Sequence, residues 1–203
     1  TYRTPLAPLC KAGHYGSFIG AVYENSHEYA TLVQSHREKG ADFIKIMISG
    51  LMDFDHAGVL TEEGLSPLEI KELIHIAHEE GFSVMAHCNG ARTMEAAAIY
   101  GVDSIEHGAY ADGDALQAMA ENRVIWVPTV STIANLRGTG RFSETAVAEI
   151  LESVTENIRR FAALATDRIL VNGDDANTLQ AMEGIDYITF GLKDSNRIHA
   201  ANM

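Results

Sequence analysis

An α/β fold with a parallel sheet is predicted from two patterns in the sequence. Short apolar runs alternate with stretches of helical periodicity, which is typical of repeated strand–helix units. The segments from Ile48 to Cys88 and from Cys88 to His107 each have room for a loop, one return helix and the next strand. The chain is 46% hydrophobic and 21% charged, as is ordinary for a globular domain, and residues 1–203 are assigned to one domain.

The strands are predicted from short runs rich in apolar and β-branched residues. The predicted strands cover residues 43–49, 83–88, 104–107, 124–130 and 169–172. A weaker run precedes Gly13. Because the carboxyl ends of parallel strands form the functional edge of such folds, we look for functional residues where these runs end.

The helices are predicted from their start and stop signals. Ser66 and Glu69 form a capping-box pattern with Pro67 at the first helical position, and Gly81 ends that helix. The other predicted helices cover residues 27–39, 91–100, 114–121 and 143–165.

Composition excludes several classes of partner. The formal net charge is -13 and the pI is about 5.0, and an acidic surface repels phosphate backbones, so nucleic acid is not expected as a partner. No apolar run has the length of a membrane span, so no membrane partner is expected. The two cysteines, Cys10 and Cys88, form no CxxC pair, which favours a reducing cytoplasmic location.

Four predicted strand ends carry a candidate metal ligand. In chain order these residues are Lys45, His87, His107 and Asp175. Each residue alone has a simpler explanation, because a histidine or aspartate at a strand end is often a hydrogen-bonded loop residue or a turn cap. Their occurrence at four strand ends, skipping only the strand of Trp126, favours a shared site.

The residue types in this set suit a divalent metal such as zinc. Imidazole and carboxylate are ordinary zinc ligands. A lysine becomes an oxygen ligand only as a carbamate formed with CO2, and that reaction needs the neutral amine. Lys45 lies inside an apolar run, where burial lowers the pKa of a lysine and favours the neutral form.

The ordered set of motifs resembles the amidohydrolase superfamily, in its imidazolonepropionase-related and prolidase-like branch. The similar segments are Ala12-Gly13-His14, residues 40–47, Ala86-His87, residues 101–108, Val127-Pro128-Thr129 and Gly173-Asp174-Asp175-Ala176. They cover nearly the whole chain. The resemblance implies an α/β (β/α)8 TIM barrel, of which about strands 3–8 are present.

The resemblance also implies a role for each matching residue. Lys45 would be a carboxylated lysine bridging two zinc ions, and His87 and His107 would bind the more exposed ion. Asp175 would bind the other ion and act as general base and then general acid, with a metal-activated hydroxide attacking an amide or peptide-like C–N bond. His14 would contact a small-molecule substrate such as a dipeptide.

The sequence departs from the family pattern at its ends. It contains no His-x-His pair, and nothing in it resembles strands 1 and 2 or the family's flanking β-sandwich. Residues 191–203 resemble the helix after strand 8, cut short, so the chain is expected to lack both ends of the barrel. Three readings remain open: a two-metal hydrolase, a one-metal cyclic-amide hydrolase or deaminase, and a non-catalytic fragment.

Residues 131–141 form a predicted loop after the Trp126 strand. Among them, Arg137 is the candidate for contacting an acidic group of the substrate, because guanidinium binds carboxylate through paired hydrogen bonds. The sequence leaves the number of metal ions, the substrate and assembly into a homo-oligomer open.

Overall fold

The chain forms a mostly parallel sheet in a computed structural model, which describes residues 3–165, 169–184, 187–191, 193 and 195–199. Six parallel strands lie in the order β2-β1-β3-β4-β5-β6, and a second parallel sheet has the order β7-β8-β9. The strands are Leu9–Lys11 (β1), Ala21–Tyr23 (β2), Ile44–Met47 (β3), Val84–Cys88 (β4), Ser104–His107 (β5), Ile125–Val127 (β6), Leu170–Asn172 (β7), Ile188–Gly191 (β8) and Ile198–His199 (β9).

The helices begin at capping residues that the sequence signals. Ser66 caps its helix with the predicted capping box to Glu69, and the side chains of Asn25, Asp112 and Ser143 cap three others. The helices are Ser26–Glu38 (α1), Pro67–Glu79 (α2), Ala91–Ile99 (α3), Gly113–Glu121 (α4), Val130–Ala134 (α5), Glu144–Leu164 (α6) and Ala176–Ala181 (α7).

The two faces of the central sheet differ in burial. One face carries fully buried apolar side chains, namely Ile44, Ile46, Val84, Ala86, Ile105 and Trp126. The helices α1, α2, α3, α4 and α6 pack side by side in that order and cover the core. On the other face Lys45 and Glu106 are half-buried, and Ile125 is 40% exposed. The polar residues in the strands therefore lie on the more open face.

A parallel bridge between Trp126 and Ile169 joins the two sheets in the described part of the chain. This bridge places β7 beside β6, so the strand order follows the chain from β3 to β9. The described residues form no closed barrel. The prediction of an α/β fold with a parallel sheet is confirmed.

The predicted strands and long helices are confirmed within a few residues at each end. The prediction did not include the short elements β2, β8, β9, α5 and α7. The expected helix over residues 191–203 is wrong where the structure describes it, because Gly191 ends β8 and Ile198–His199 forms β9. The remainder of that prediction, at residues 192, 194 and 200–203, lies outside the described residues.

None of the helices in the described part of the chain has the length and apolar character that crossing a membrane requires.

Candidate metal centre

Three neighbouring strands bring Lys45, His87 and His107 together. Lys45 pairs with Met85 across β3 and β4, and His87 lies two residues further along β4. Because side chains alternate along a strand, Lys45 and His87 project from the same, more open face. The His87 and His107 rings lie 4.7 Å apart between centroids, at an interplanar angle of 63°.

His107 reaches this face through an unusual backbone conformation. Its Cα partner is Cys88, so strand alternation alone would direct His107 toward the helix-covered face. Its φ of 70° is in the left-handed region, which is uncommon for residues other than glycine and is often found at functional sites. The indole N–H of Trp126 donates to the His107 carbonyl at 3.0 Å and helps to hold this turn.

Each histidine has one ring nitrogen occupied by a partner outside the pair. His87 Nε2 lies 3.2 Å from the Gly50 carbonyl, which only accepts, so Nε2 carries the proton and the lone pair lies on Nδ1. His107 Nδ1 lies 2.7 Å from the Thr129 hydroxyl. Ring nitrogens held in this way orient the opposite nitrogen toward a metal in many metalloproteins. The nitrogens that could hold a divalent ion are therefore His87 Nδ1 and, where Nδ1 of His107 donates to the Thr129 hydroxyl, His107 Nε2.

Burial keeps both imidazoles in the neutral form that binds metals. It lowers the pKa of His87 to about 4 and that of His107 to about 3. Burial also lowers the pKa of Lys45 to about 8, against the opposing effect of the Glu106 carboxylate. The neutral amine that carbamate formation requires is therefore accessible near neutral pH.

Glu106, which the sequence analysis did not select, interacts electrostatically with Lys45 through its carboxylate. It is half-buried on the same face as Lys45, and burial raises the pKa of its carboxyl group. The Ser104 hydroxyl donates to it at 3.2 Å. Glu106 could have been selected from the sequence by the criterion applied to Lys45, a charged residue within an apolar strand. Thr129 was also missed as a partner of His107, although it lies in one of the motifs that carry the resemblance.

Acid is expected to destabilise the folded chain because both histidines are buried in the neutral form. Below the ordinary histidine pKa of 6.5 the unfolded chain takes up protons that folded His87 and His107 do not accept until about pH 4 and 3. Each histidine therefore lowers the free energy of unfolding by about 1.4 kcal/mol for every pH unit of acidification in that window. Urea unfolding between pH 6.5 and 5 measures this slope. His87→Asn should reduce this slope by the contribution of about one proton, or about 1.4 kcal/mol per pH unit. An unchanged slope in that variant would contradict the buried neutral state of His87.

Asp175 follows β7 and caps the next helix. Its Oδ2 accepts hydrogen bonds from the backbone N–H and the hydroxyl of Thr178, the third residue of α7. Among the described residues, no group of three or more His, Cys, Asp or Glu side chains is placed to hold a metal ion. The structure thus brings Lys45, His87 and His107 together, whereas Asp175 joins no such group with the two histidines.

The two predicted substrate residues lie in loops at the carboxyl ends of strands. His14 follows β1 and is half-exposed, with its Nδ1 3.8 Å from Glu62 Oε1. Arg137 lines a cavity of about 600 Å³ together with Val130 and Gln180. Val130 directly follows Thr129, the hydrogen-bond partner of His107. The cavity therefore opens next to the element that supports His107.

Comparison with known proteins identifies relatives that cover most of this chain. No family model matches it. Ochratoxinase from Aspergillus niger is 29% identical over 129 residues, which are 61% of this chain and 25% of that protein. A solved prolidase complexed with N-methylphosphonate-L-proline is 25% identical, with a TM-score of 0.65 over 78% of this chain and 44% of that chain.

A solved amidohydrolase is 26% identical, with a TM-score of 0.62 over 75% of this chain and 38% of that chain. The chain thus spans about a quarter of its curated relative and less than half of these solved structures. The fold, the order of the strand-end residues and these similarities agree with one another. The fold and sequence of the chain fit the amidohydrolase superfamily, and the proteins it is similar to include a prolidase and an ochratoxinase.

Proposed function

We propose that this chain carries the metal-binding part of a hydrolase that cleaves amide or peptide-like C–N bonds in small molecules. The proposal is carried by two neutral imidazoles, those of His87 and His107, whose ring centroids lie 4.7 Å apart. Both rings interact electrostatically with Lys45, whose pKa is lowered to about 8. Perturbed pKa values of this kind are concentrated at functional sites. In this proposal β1 and β3 to β7 are consecutive strands of an incomplete (β/α)8 barrel.

His87 and His107 would hold a divalent metal, for which zinc suits the imidazole donors. Lys45, as a carbamate, would add an oxygen ligand and would allow a second ion to share it. When bound, the metal would polarise the substrate carbonyl and lower the pKa of water. Asp175 would accept a proton at its carboxylate and return it to the leaving nitrogen.

The substrate groups would be recognised by residues in the loops after the strands. Arg137 lines the cavity beside α5, and a guanidinium there suits the carboxylate of a dipeptide or an N-acylated amino acid. His14 would contact the substrate from the opposite side, after β1. The names of the similar proteins, a prolidase and an ochratoxinase, support substrates of small size.

A reducing compartment such as the cytoplasm suits the two thiols. Cys10 and Cys88 are both buried and free, and burial raises the pKa of Cys10 to about 11. Buried thiols of this kind behave as small apolar side chains and are protected from thiolate chemistry.

The proposal is tested by hydrolysis of dipeptides and N-acylated amino acids with chain reconstituted in zinc and bicarbonate. We expect zinc-dependent cleavage that is lost in His107→Ala and retained in His75→Ala, since His75 is an exposed residue of α2. Chelation followed by zinc addition should remove and restore activity.

A metal-binding fragment without activity is the second candidate, favoured by the absence of a third clustered His, Cys, Asp or Glu side chain among the described residues. Zinc binding without any cleavage would select this second candidate. Cleavage that persists in His107→Ala or without zinc would reject both.

A further inference from the structure

Two loops at the carboxyl ends of β1 and β3 meet over His87. The Tyr15 ring, in the loop after β1, packs against the His87 ring with 4.7 Å between centroids and an interplanar angle of 35°. Phe18 packs edge-on against Tyr15 at 5.9 Å. The loop that contains His14 therefore forms one wall of the candidate metal centre.

Glu62, in the loop after β3, forms a hydrogen bond to the loop that contains His14 and Tyr15. Its Oε1 accepts the backbone N–H of Tyr15 at 2.5 Å and lies 3.8 Å from Nδ1 of His14. The Glu62 side chain is only 28% exposed, and hydrogen bonds to a carboxylate are stronger than neutral ones where water is partly excluded. This bond joins residues 47 positions apart in sequence.

The position of Glu62 is fixed by the loop that carries it. Thr61 and Leu51 form a pair of hydrogen bonds across the loop, of 2.8 Å from Thr61 N–H to the Leu51 carbonyl and 3.0 Å from Leu51 N–H to the Thr61 hydroxyl. Gly50 allows the close approach, since a Cβ there would lie 2.7 Å from Glu62 Cγ. The same glycine accepts the hydrogen bond of His87 Nε2.

We propose that Glu62 is a positioning residue, whose carboxylate holds the His14–Tyr15 turn so that Tyr15 covers His87 and His14 faces the substrate. The turn's own hydrogen bonds, from His14 N–H to the Lys11 carbonyl and from Ser17 N–H to the His14 carbonyl, are 3.1 and 3.3 Å long. The bond to Glu62 is shorter and comes from another loop, so it sets where the turn lies relative to His87.

The consequence for catalysis rests on the proposed function, in which His87 binds the metal and His14 contacts the substrate. Losing one hydrogen bond to a charged group is expected to weaken substrate binding roughly tenfold. The loss should appear mainly in KM, because Glu62 acts through the turn that carries His14, the proposed substrate contact.

The first experiment compares Glu62→Ala, Glu62→Gln and Glu63→Ala by NMR of the histidine rings. The Tyr15 ring current shifts the His87 ring resonances, which are assigned from their loss in His87→Asn and from their displacement in Tyr15→Leu. We expect Glu62→Ala to move them toward their position in Tyr15→Leu. Glu62→Gln retains an accepting oxygen and should preserve them, as should Glu63→Ala, since Glu63 is the exposed neighbour.

This readout needs neither zinc nor hydrolysis, so it decides the positioning role even if the chain proves inactive. Wild-type His87 resonances in a folded Glu62→Ala variant would overturn the proposal, with circular dichroism confirming the fold. Equal displacement in Glu62→Gln would also overturn it, because the accepting oxygen is then irrelevant.

The second experiment uses a dipeptide that the wild-type chain hydrolyses. A KM raised about tenfold in Glu62→Ala and restored in Glu62→Gln supports the proposal. A selective loss of kcat with unchanged KM contradicts it.

Discussion

Replacing Lys45 with methionine is expected to weaken zinc binding by about 100-fold or more and to abolish any zinc-dependent hydrolysis, since even outer partners of metal ligands are worth 10–100-fold. Methionine fills a similar volume in the half-buried strand position but cannot form a carbamate. Burial lowers the pKa of Lys45 to about 8, so part of the wild-type amine is in the neutral form that carbamate formation requires near neutral pH. Zinc titration against a competing chelator, in the presence of bicarbonate, measures the affinity.

Lys39→Met is the matched control, because Lys39 is exposed at the end of α1. Removing CO2 from the buffer should weaken zinc binding to the wild-type chain and leave the Lys45→Met variant unaffected. Equal zinc affinity in wild type and Lys45→Met, with or without bicarbonate, would exclude a carbamate ligand.

Replacing Trp126 with alanine is expected to destabilise the fold by about 3–5 kcal/mol, the usual cost of deleting a large buried aromatic side chain. Trp126 is fully buried, packs edge-on against Phe161 at 5.5 Å and donates to the His107 carbonyl. It also forms the bridge to Ile169 that joins the two sheets. Urea unfolding measures the change in free energy.

Ile125→Ala on the same strand is the control, because Ile125 is 40% exposed and should lose far less stability. Trp126→Phe keeps one aromatic ring in the core but removes part of the packing volume together with the N–H donor to His107. A loss below about 1 kcal/mol in Trp126→Ala would contradict its role as a central core residue.

The long elements were predictable because their signals are local. The capping box at Ser66 and the apolar runs around Ile46 and Ala86 determine where α2, β3 and β4 begin, and the structure follows them closely. The elements that were missed have few residues of their own. Ala21–Tyr23 and Val130–Ala134 are too short for a periodic pattern, so tertiary contacts decide their structure.

The sequence placed Lys45, His87 and His107 at one edge of the sheet, where the structure brings them together, but it did not predict the geometry around them. Lys45 and His87 were selected from their positions at predicted strand ends and from the resemblance. The left-handed backbone of His107 was not predictable, because the hydrogen bond from Trp126 that helps to hold it comes from the neighbouring strand. The contact between Glu62 and Tyr15 joins two loops and leaves no local signal in the sequence.

Asp175 has two interpretations, as a helix cap and as the proposed group for proton transfer. A turn cap was the simpler interpretation of this aspartate, and its bonds to Thr178 match that interpretation. A capping carboxylate has a second oxygen, so the cap does not conflict with the proposed role in proton transfer. That role stays a prediction, as do the substrate contacts of His14 and Arg137.

Zinc titration followed by NMR of ¹⁵N-labelled histidine rings tests the metal centre most directly. The hydrogen bonds of the two rings predict that zinc shifts Nδ1 of His87 and Nε2 of His107, while the exposed His75 ring remains unchanged. Coordination by both nitrogens at one zinc per chain would support the centre described here. Zinc that binds without perturbing either ring, or that binds only other histidines, would contradict it.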